Sequence, residues 1–303
     1  MAPQSSKVAG WDERLSLPVR ALRLWSKYGP RMRAALPNLV GARLLSESKI
    51  VLRSASGARF AVEPSDLGNY LSMLNGGFLY PRHVLDTCLR LLVPGDVFFD
   101  VGANIGFVTI EVAHAFAGEV RVFAFEPQPG LAEKLDVSAA LNGITSVRVF
   151  DMLLGEELEG TTTLYLAPNS AHASVVARSK NPREVTRQRT TIDHLVDSGT
   201  IAPPRVIKID VEGAEAQVLR GARKTIAVHR PALIFEADDN MTRFRSSKRE
   251  LFDVIASCGD YRFYDVVATS HGTLDAIRVI ASADASRSDD VLALPADRPP
   301  PRI

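Results

Sequence analysis

The segment Asp100-Val101-Gly102-Ala103-Asn104-Ile105-Gly106 constrains this chain more than any other. A run apolar but for Asp100, Val97 to Val101, leads into it, and a helical pattern, Phe107 to Phe116, leads out. A glycine loop between a buried strand and a helix lets backbone approach a ligand closely, because Gly102 and Gly106 carry no Cβ. Glu126 comes twenty positions after Gly106, where a second apolar run, Val120 to Phe125, ends before Pro127. A carboxylate there can accept both hydroxyls of a ribose.

The pattern continues as strands alternating with helices. A helix over Leu131 to Asn142 precedes strands at Ser146 to Phe150, Val206 to Ile209 and Leu233 to Phe235, with a last strand at Val291 to Leu294. Such alternation predicts an α/β fold, a Rossmann-like doubly wound, mostly parallel sheet with ligands at the carboxyl ends of its strands. Upstream, Ser48 to Val62 reads as a hairpin turning near Ser56-Gly57, and His83 to Leu92 as an amphipathic helix stopped by Pro94-Gly95. A long insert, Gly155 to Pro204, contains a strand-like Thr161 to Leu166. Trp11 to Leu36 reads as one or two helices with an acid-free basic stretch from Arg20 to Arg33. The expected organisation is an N-terminal basic helical extension over 1–47, a catalytic-type domain over 48–295 with its core from residue 94, and a disordered tail over 296–303 rich in Pro.

Two ligands compete for the loop. Gly102, Asn104 and Gly106 nearly fit a dinucleotide fingerprint, but Asn104 stands where the pyrophosphate needs a glycine, and Asp100 would repel phosphates. Asp100 suits a sulfonium and an ammonium, which favours S-adenosyl-L-methionine. With 36 Lys plus Arg against 35 Asp plus Glu, there is no bulk positive field of the kind that marks nucleic-acid binding. Cys88 and Cys258 are too few for a metal cluster or a disulfide framework.

Pro94-Gly95-Asp96-Val97-Phe98-Phe99-Asp100 through Gly106, then Phe125-Glu126-Pro127, then Ile207-Lys208-Ile209-Asp210-Val211-Glu212-Gly213-Ala214-Glu215 resemble, in order and spacing, the FkbM-type S-adenosylmethionine-dependent methyltransferases. The resemblance runs from about Phe60 to Pro295. It implies a class I methyltransferase fold and O-methylation of a hydroxyl on a sugar, glycan or natural product. Asp100, Gly102, Asn104 and Gly106 match the cofactor loop, Glu126 the ribose acid, and Asn142 and Asp151-Met152 segments near the adenine. Tyr80 stands where the family commonly has an acid after a Gly-aromatic pair. N- or C-methylation and a non-catalytic cofactor-binding role are the alternatives.

The strand Val206 to Ile209 ends in a burst of charge. Methyl transfer needs an acceptor in line with the leaving sulfur, and an alcohol also needs a base. Asp210, near the cofactor, and Glu212, facing the acceptor, are the carboxylates for this task. Lys208 is placed to stabilise an alkoxide or to keep Asp210 ionised, and Glu215 to meet a helix dipole. Glu236, Asp238, Asp239 and Asn240 form an oxygen-rich edge that could take Mg²⁺, although no metal is expected; His172 is a secondary base candidate. The expected partners are a small-molecule or glycan acceptor and no nucleic acid. Membrane-surface contact through 11–36 is not favoured, and homo-oligomerisation is left open. The absence of a leader pattern or a long apolar run makes the cytoplasm the expected compartment.

Overall fold

The computed structural model describes residues 11–12, 49–63, 82–158, 160–166, 183–270 and 272–303. Its centre is an eight-stranded sheet. The apolar runs read from the sequence form β4 (Val97–Val101), β5 (Arg121–Phe125), β6 (Val147–Phe150), β10 (Val206–Ile209) and β11 (Ala232–Glu236). These pair in parallel in the order β6-β5-β4-β10-β11. Three further strands extend the sheet beyond β11: β14 (Asp290–Pro295), then β12 (Tyr261–Ala268), then β13 (Leu274–Val279). β14 is antiparallel to both of its neighbours, and β13 is antiparallel to β12.

Alternate residues of the strands feed two cores. Phe98, Val122, Val206 and Ile234 pack with α1 (Arg82–Leu91), α2 (Phe107–Ala115) and α3 (Pro129–Leu141) on one face. Phe99, Phe125, Ile207, Ile209 and Phe235 pack on the other with α4 (Ile192–Asp197), α5 (Glu215–Arg220), α6 (Arg223–His229) and α7 (Lys248–Cys258). Continuous apolar strands covered on both faces are what a parallel sheet requires.

The expected hairpin is present as β2 (Lys49–Arg53) and β3 (Arg59–Val62), antiparallel, with its turn at Gly57. β3 is tied to α3: Asn142 Nδ2 donates to the Arg59 carbonyl at 2.7 Å, and Asn142 Oδ1 accepts from the Arg59 N–H at 2.9 Å. Asn142 therefore joins a helix end to a strand instead of reaching an adenine. In the insert, β7 (Leu153–Leu154), β8 (Thr161–Leu166) and β9 (Arg183–Thr190) form a small second sheet. Arg187 of β9 donates to the Pro127 carbonyl at 2.7 Å, anchoring that sheet beside the Glu126 turn.

Two expectations give way. Trp11–Asp12 is not helical; it forms β1, which uses the free edge of β2 as a parallel partner. The rest of the expected N-terminal helices, Tyr80 and His172 lie outside the described residues. The tail 296–303, expected to be disordered, is held by side chains: Arg230 pairs with Asp297 at 3.0 Å, and Arg90 donates to the Arg302 carbonyl at 2.8 Å. Among the described residues no helix is long and apolar enough to cross a membrane.

Candidate active site

The strand order reverses at β4, whose chain neighbour β5 lies on one side and β10 on the other. The carboxyl ends at such a switch point form a crevice, and the glycine loop sits in it. Gly102 has φ +77°, and a Cβ there would fall 1.8 Å from the Asp210 carbonyl oxygen. A side chain is excluded by the neighbouring strand end, so the glycine serves the close approach of β4 to β10. Asn104 takes φ +55°, a left-handed conformation that Asn tolerates better than most residues, and its Oδ1 accepts the Ile105 N–H at 2.8 Å.

Glu126 stands next to this loop, at the end of β5. Its Oε2 accepts from the Asn104 N–H and its Oε1 from the Gln128 N–H, both at 2.9 Å. The two backbone donors fix the carboxylate's orientation and spend only one lone pair on each oxygen. Burial pushes its pKa up to about 7 against the pull of those donors and of Lys208. Asp151 and Met152 follow β6 at the same edge of the sheet, Asp151 exposed and Met152 packed on the second core.

Asp100 and Lys208 are direct neighbours in the register of β4 and β10 and point to the same face. Lys208 Nζ lies 3.1 Å from Asp100 Oδ1 and 3.4 Å from Asp210 Oδ2, and donates to the Gly102 carbonyl at 3.1 Å. Asp100 Oδ2 accepts from the Thr109 hydroxyl of α2 at 2.7 Å. Both members of the Asp100 pair are almost wholly buried, with side-chain exposures of 1% and 3%. Asp100, which the sequence suggested would face a ligand, is instead engaged beneath the loop, where it fixes Lys208. The ammonium is occupied by two carboxylates and a carbonyl, the geometry of a counter-ion.

Asp210 is more open, at 29%. Burial raises its pKa and Lys208 opposes the rise. The turn after it is held by Glu215, whose Oε1 accepts from the Val211 N–H at 2.9 Å and the Gly213 N–H at 3.1 Å. Glu215 is fully buried, with its pKa raised by burial to about 7, and it does more than the dipole contact expected of it. This clamp presents Glu212 at the apex of the turn with φ +59°, a strained conformation for a residue with a Cβ. Gly213 follows because a Cβ there would meet the Asn240 carbonyl at 2.6 Å.

Beyond Asp210, Glu236 ends β11, and its pKa is pushed up to about 9 by burial and by Asp210 and Asp238. Asp238 caps the short 3₁₀ turn Asp239–Phe244 by accepting from the Asn240 N–H at 2.8 Å. The oxygen-rich edge thus spends an acid on local capping. Among the described residues no group of three His, Cys, Asp or Glu side chains is arranged to hold a metal ion. The sequence reading overlooked His83 and Asp290, which pair at 2.7 Å beside Glu236. Their separation along the chain leaves no local pattern to read.

A parallel sheet in this order, continued beyond β11 by the reversed strand β14, with a glycine loop after its first parallel strand and an acid after the second, defines the class I methyltransferase fold. Residues 100–262, more than half of the chain, match the model of the methyltransferase FkbM domain, and the chain belongs to that family. Among curated proteins, it is 31% identical over 170 residues to the hexuronic acid methyltransferase AglP of Haloferax volcanii, a match covering 55% of this chain and 65% of that one. The chain thus spans just under two thirds of that relative's length. It is 27% identical over 230 residues to the 31-O-demethyl-FK506 methyltransferase FkbM of Streptomyces tacrolimicus, covering 64% and 82%. The crystal structure of methyltransferase FkbM from Methylobacillus flagellatus KT aligns with a TM-score of 0.43 at 20% identity, over 76% of this chain and 53% of that one.

Proposed function

We propose that this chain is an S-adenosyl-L-methionine-dependent O-methyltransferase acting on a hydroxyl of a sugar, glycan or natural product. The observation that carries the reading is Glu126, fixed at the switch point by two backbone N–H groups with acceptor capacity to spare on both oxygens. The cofactor, when bound, supplies an electrophilic methyl group on a sulfonium. Glu126 would take the ribose hydroxyls, the backbone from Gly102 to Gly106 would line the cofactor, and Asp151 and Met152 would border its base. Asp100 contributes by fixing Lys208 and the loop.

On the acceptor side, Asp210 is the base. It is partly exposed, lies at a strand's carboxyl end and is kept ionisable by Lys208. Glu212, at the apex of the adjoining turn, would orient the acceptor. The FkbM relative is named for a 31-O-demethyl compound, in keeping with a hydroxyl acceptor. A second reading, methylation of an amine, draws on the same acidic edge, which suits a cation before it loses its proton.

Isothermal titration calorimetry with S-adenosyl-L-methionine and, separately, NAD⁺ tests the cofactor assignment on wild type and on Glu126→Ala. Loss of hydrogen bonds to a charged acceptor should weaken binding of the methyl donor by about tenfold or more. Folded wild type that binds only NAD⁺, or neither ligand, would overturn the reading. A screen of hydroxyl and amine acceptors then separates the two chemistries.

A further inference from the structure

Resting on that reading, we infer that His83 is a positioning residue of the acceptor side: paired with Asp290, it supplies the second positive charge that a row of carboxylates at the sheet's edge requires.

The register defines the row. Lys208 lies beside Asp100 on β4 and Ile234 on β11. Two residues further toward the carboxyl ends, on the same face, come Asp210 after β10 and Glu236 on β11. Glu236 is in turn directly opposite Asp290, the first residue of β14. Three carboxyl groups thus occupy adjacent positions on one face, and like charges directly opposite one another in a sheet are unfavourable. Lys208 compensates the Asp210 end, but it is shared with Asp100. Among the described residues no lysine or arginine lies within ion-pair distance of Asp290; its partner there is His83.

α1 brings His83 to that end. The helix packs against β10 to β13 on the same face, with Cys88 close enough to Asp100 and Lys208 to feel both charges. Its first turn is held from two sides: the His83 N–H donates to the Gly272 carbonyl at 3.0 Å, and Nε2 meets Asp290 Oδ2 at 2.7 Å. The ring is 11% exposed and Asp290 20%. Nδ1 is buried with no hydrogen-bond partner among the described residues, so the Asp290 carboxylate is the side chain there that fixes the ring. The charged groups facing the imidazole are Asp290 from β14 and Asp86 from its own helix, and Asp86 is itself paired with Arg82. Burial alone would lower the imidazole pKa, but the Asp290 bond and charge, joined by the Gly272 carbonyl and Asp86, outweigh it, and the pKa stands above its ordinary value. Asp290 in turn raises both Asp210 and Glu236.

The consequence is a pair of perturbations with opposite signs. His83→Gln keeps a donor for Asp290 and removes the positive charge, so Asp210, which titrates while the imidazole is protonated, becomes harder to ionise. Asp290→Asn removes a negative charge and makes Asp210 and Glu236 easier to ionise. Carboxyl carbon NMR titrations of the full chain should show Asp210 moving up in the first variant and down in the second, by about one pH unit, the low end of what a neighbouring charge does, with Glu236 moving down in the second. With an active acceptor, the acid limb of the kcat profile should follow, while the affinity for the methyl donor stays within about twofold. Titrations that move the same way in both variants, or not at all, would overturn the inference, because a packing role predicts no sign reversal. The NMR arm decides even if wild type transfers no methyl group, an outcome that would sink only the proposed activity.

Discussion

Replacing Lys208 by Met gives the sharpest test of how the site is built. The substitution keeps most of the stem's volume and removes the ammonium from between Asp100, Asp210 and the Gly102 carbonyl. Asp210 can turn toward water, but Asp100 is completely buried and keeps only the Thr109 hydroxyl. Breaking one side of such a pair costs about 3 to 5 kcal/mol, because the remaining charge has neither water nor a counter-ion. For a domain of this size each kcal/mol lowers Tm by about 2 to 4 °C, so a drop of about 6 to 20 °C is expected at neutral pH. Adding Asp100→Asn to Lys208→Met removes the stranded charge, and the double variant should recover about 2 kcal/mol relative to the sum of the single effects. Denaturant unfolding of the four proteins, followed by circular dichroism, measures this directly. Additive losses, or a Lys208→Met cost below about 1 kcal/mol, would refute the claim that these buried charges depend on each other.

Two other outcomes follow from the same geometry. Gly102→Ala should destabilise by about 3 kcal/mol or more, since φ is +77° and the new Cβ would meet the Asp210 carbonyl, whereas Gly95→Ala, at φ +92° with open space around it, should cost only about 1 to 2 kcal/mol; equal losses in thermal melts would contradict the close strand approach. Glu126, Glu215 and Glu236 have folded pKa values raised from 4.5 to about 7, 7 and 9, so the stability they contribute is complete below about pH 4.5 and lost as pH rises through those values. The ligand-free protein should therefore lose Tm between pH 4.5 and 9, and Glu236→Gln should flatten that slope. A slope unchanged in this variant would count against the raised pKa.

The strands, their order of appearance and the glycine loop and acid that flank the switch-point crevice were legible because each has a local cause. Val97 to Val101 and Val206 to Ile209 are apolar on both faces apart from Asp100 and Lys208, Gly102 and Gly106 mark turns that no side chain permits, and Glu126 sits at a fixed distance beyond them. What stayed hidden depends on register. Nothing local says that Lys208 lies beside Asp100 and not beside Thr109, so the lysine reads as equally suited to an alkoxide or to a neighbouring acid. Nothing within ten residues of His83 predicts a partner at position 290. Asn142 misled because a helix end near a strand end has two uses, and only the packing of β3 on α3 selects one. The tail misled for a similar reason: its Pro content predicts no regular structure, which is correct, but Arg90 of α1 and Arg230, just after α6, tie it down.

The site's charges also argue for which carboxylate does the work. Asp100 is matched by Lys208, and Asp290 by His83. Glu236, with a pKa of about 9, carries its proton at neutral pH, and Glu215 spends one oxygen holding the turn. Glu212 is fixed in a strained turn by its neighbours, which suits orientation more than proton transfer. Asp210 is left with half a counter-ion, partial access to solvent and a pKa that burial raises against the pull of Lys208. A base needs this combination: enough desolvation to hold a proton, and enough positive charge nearby to release it again.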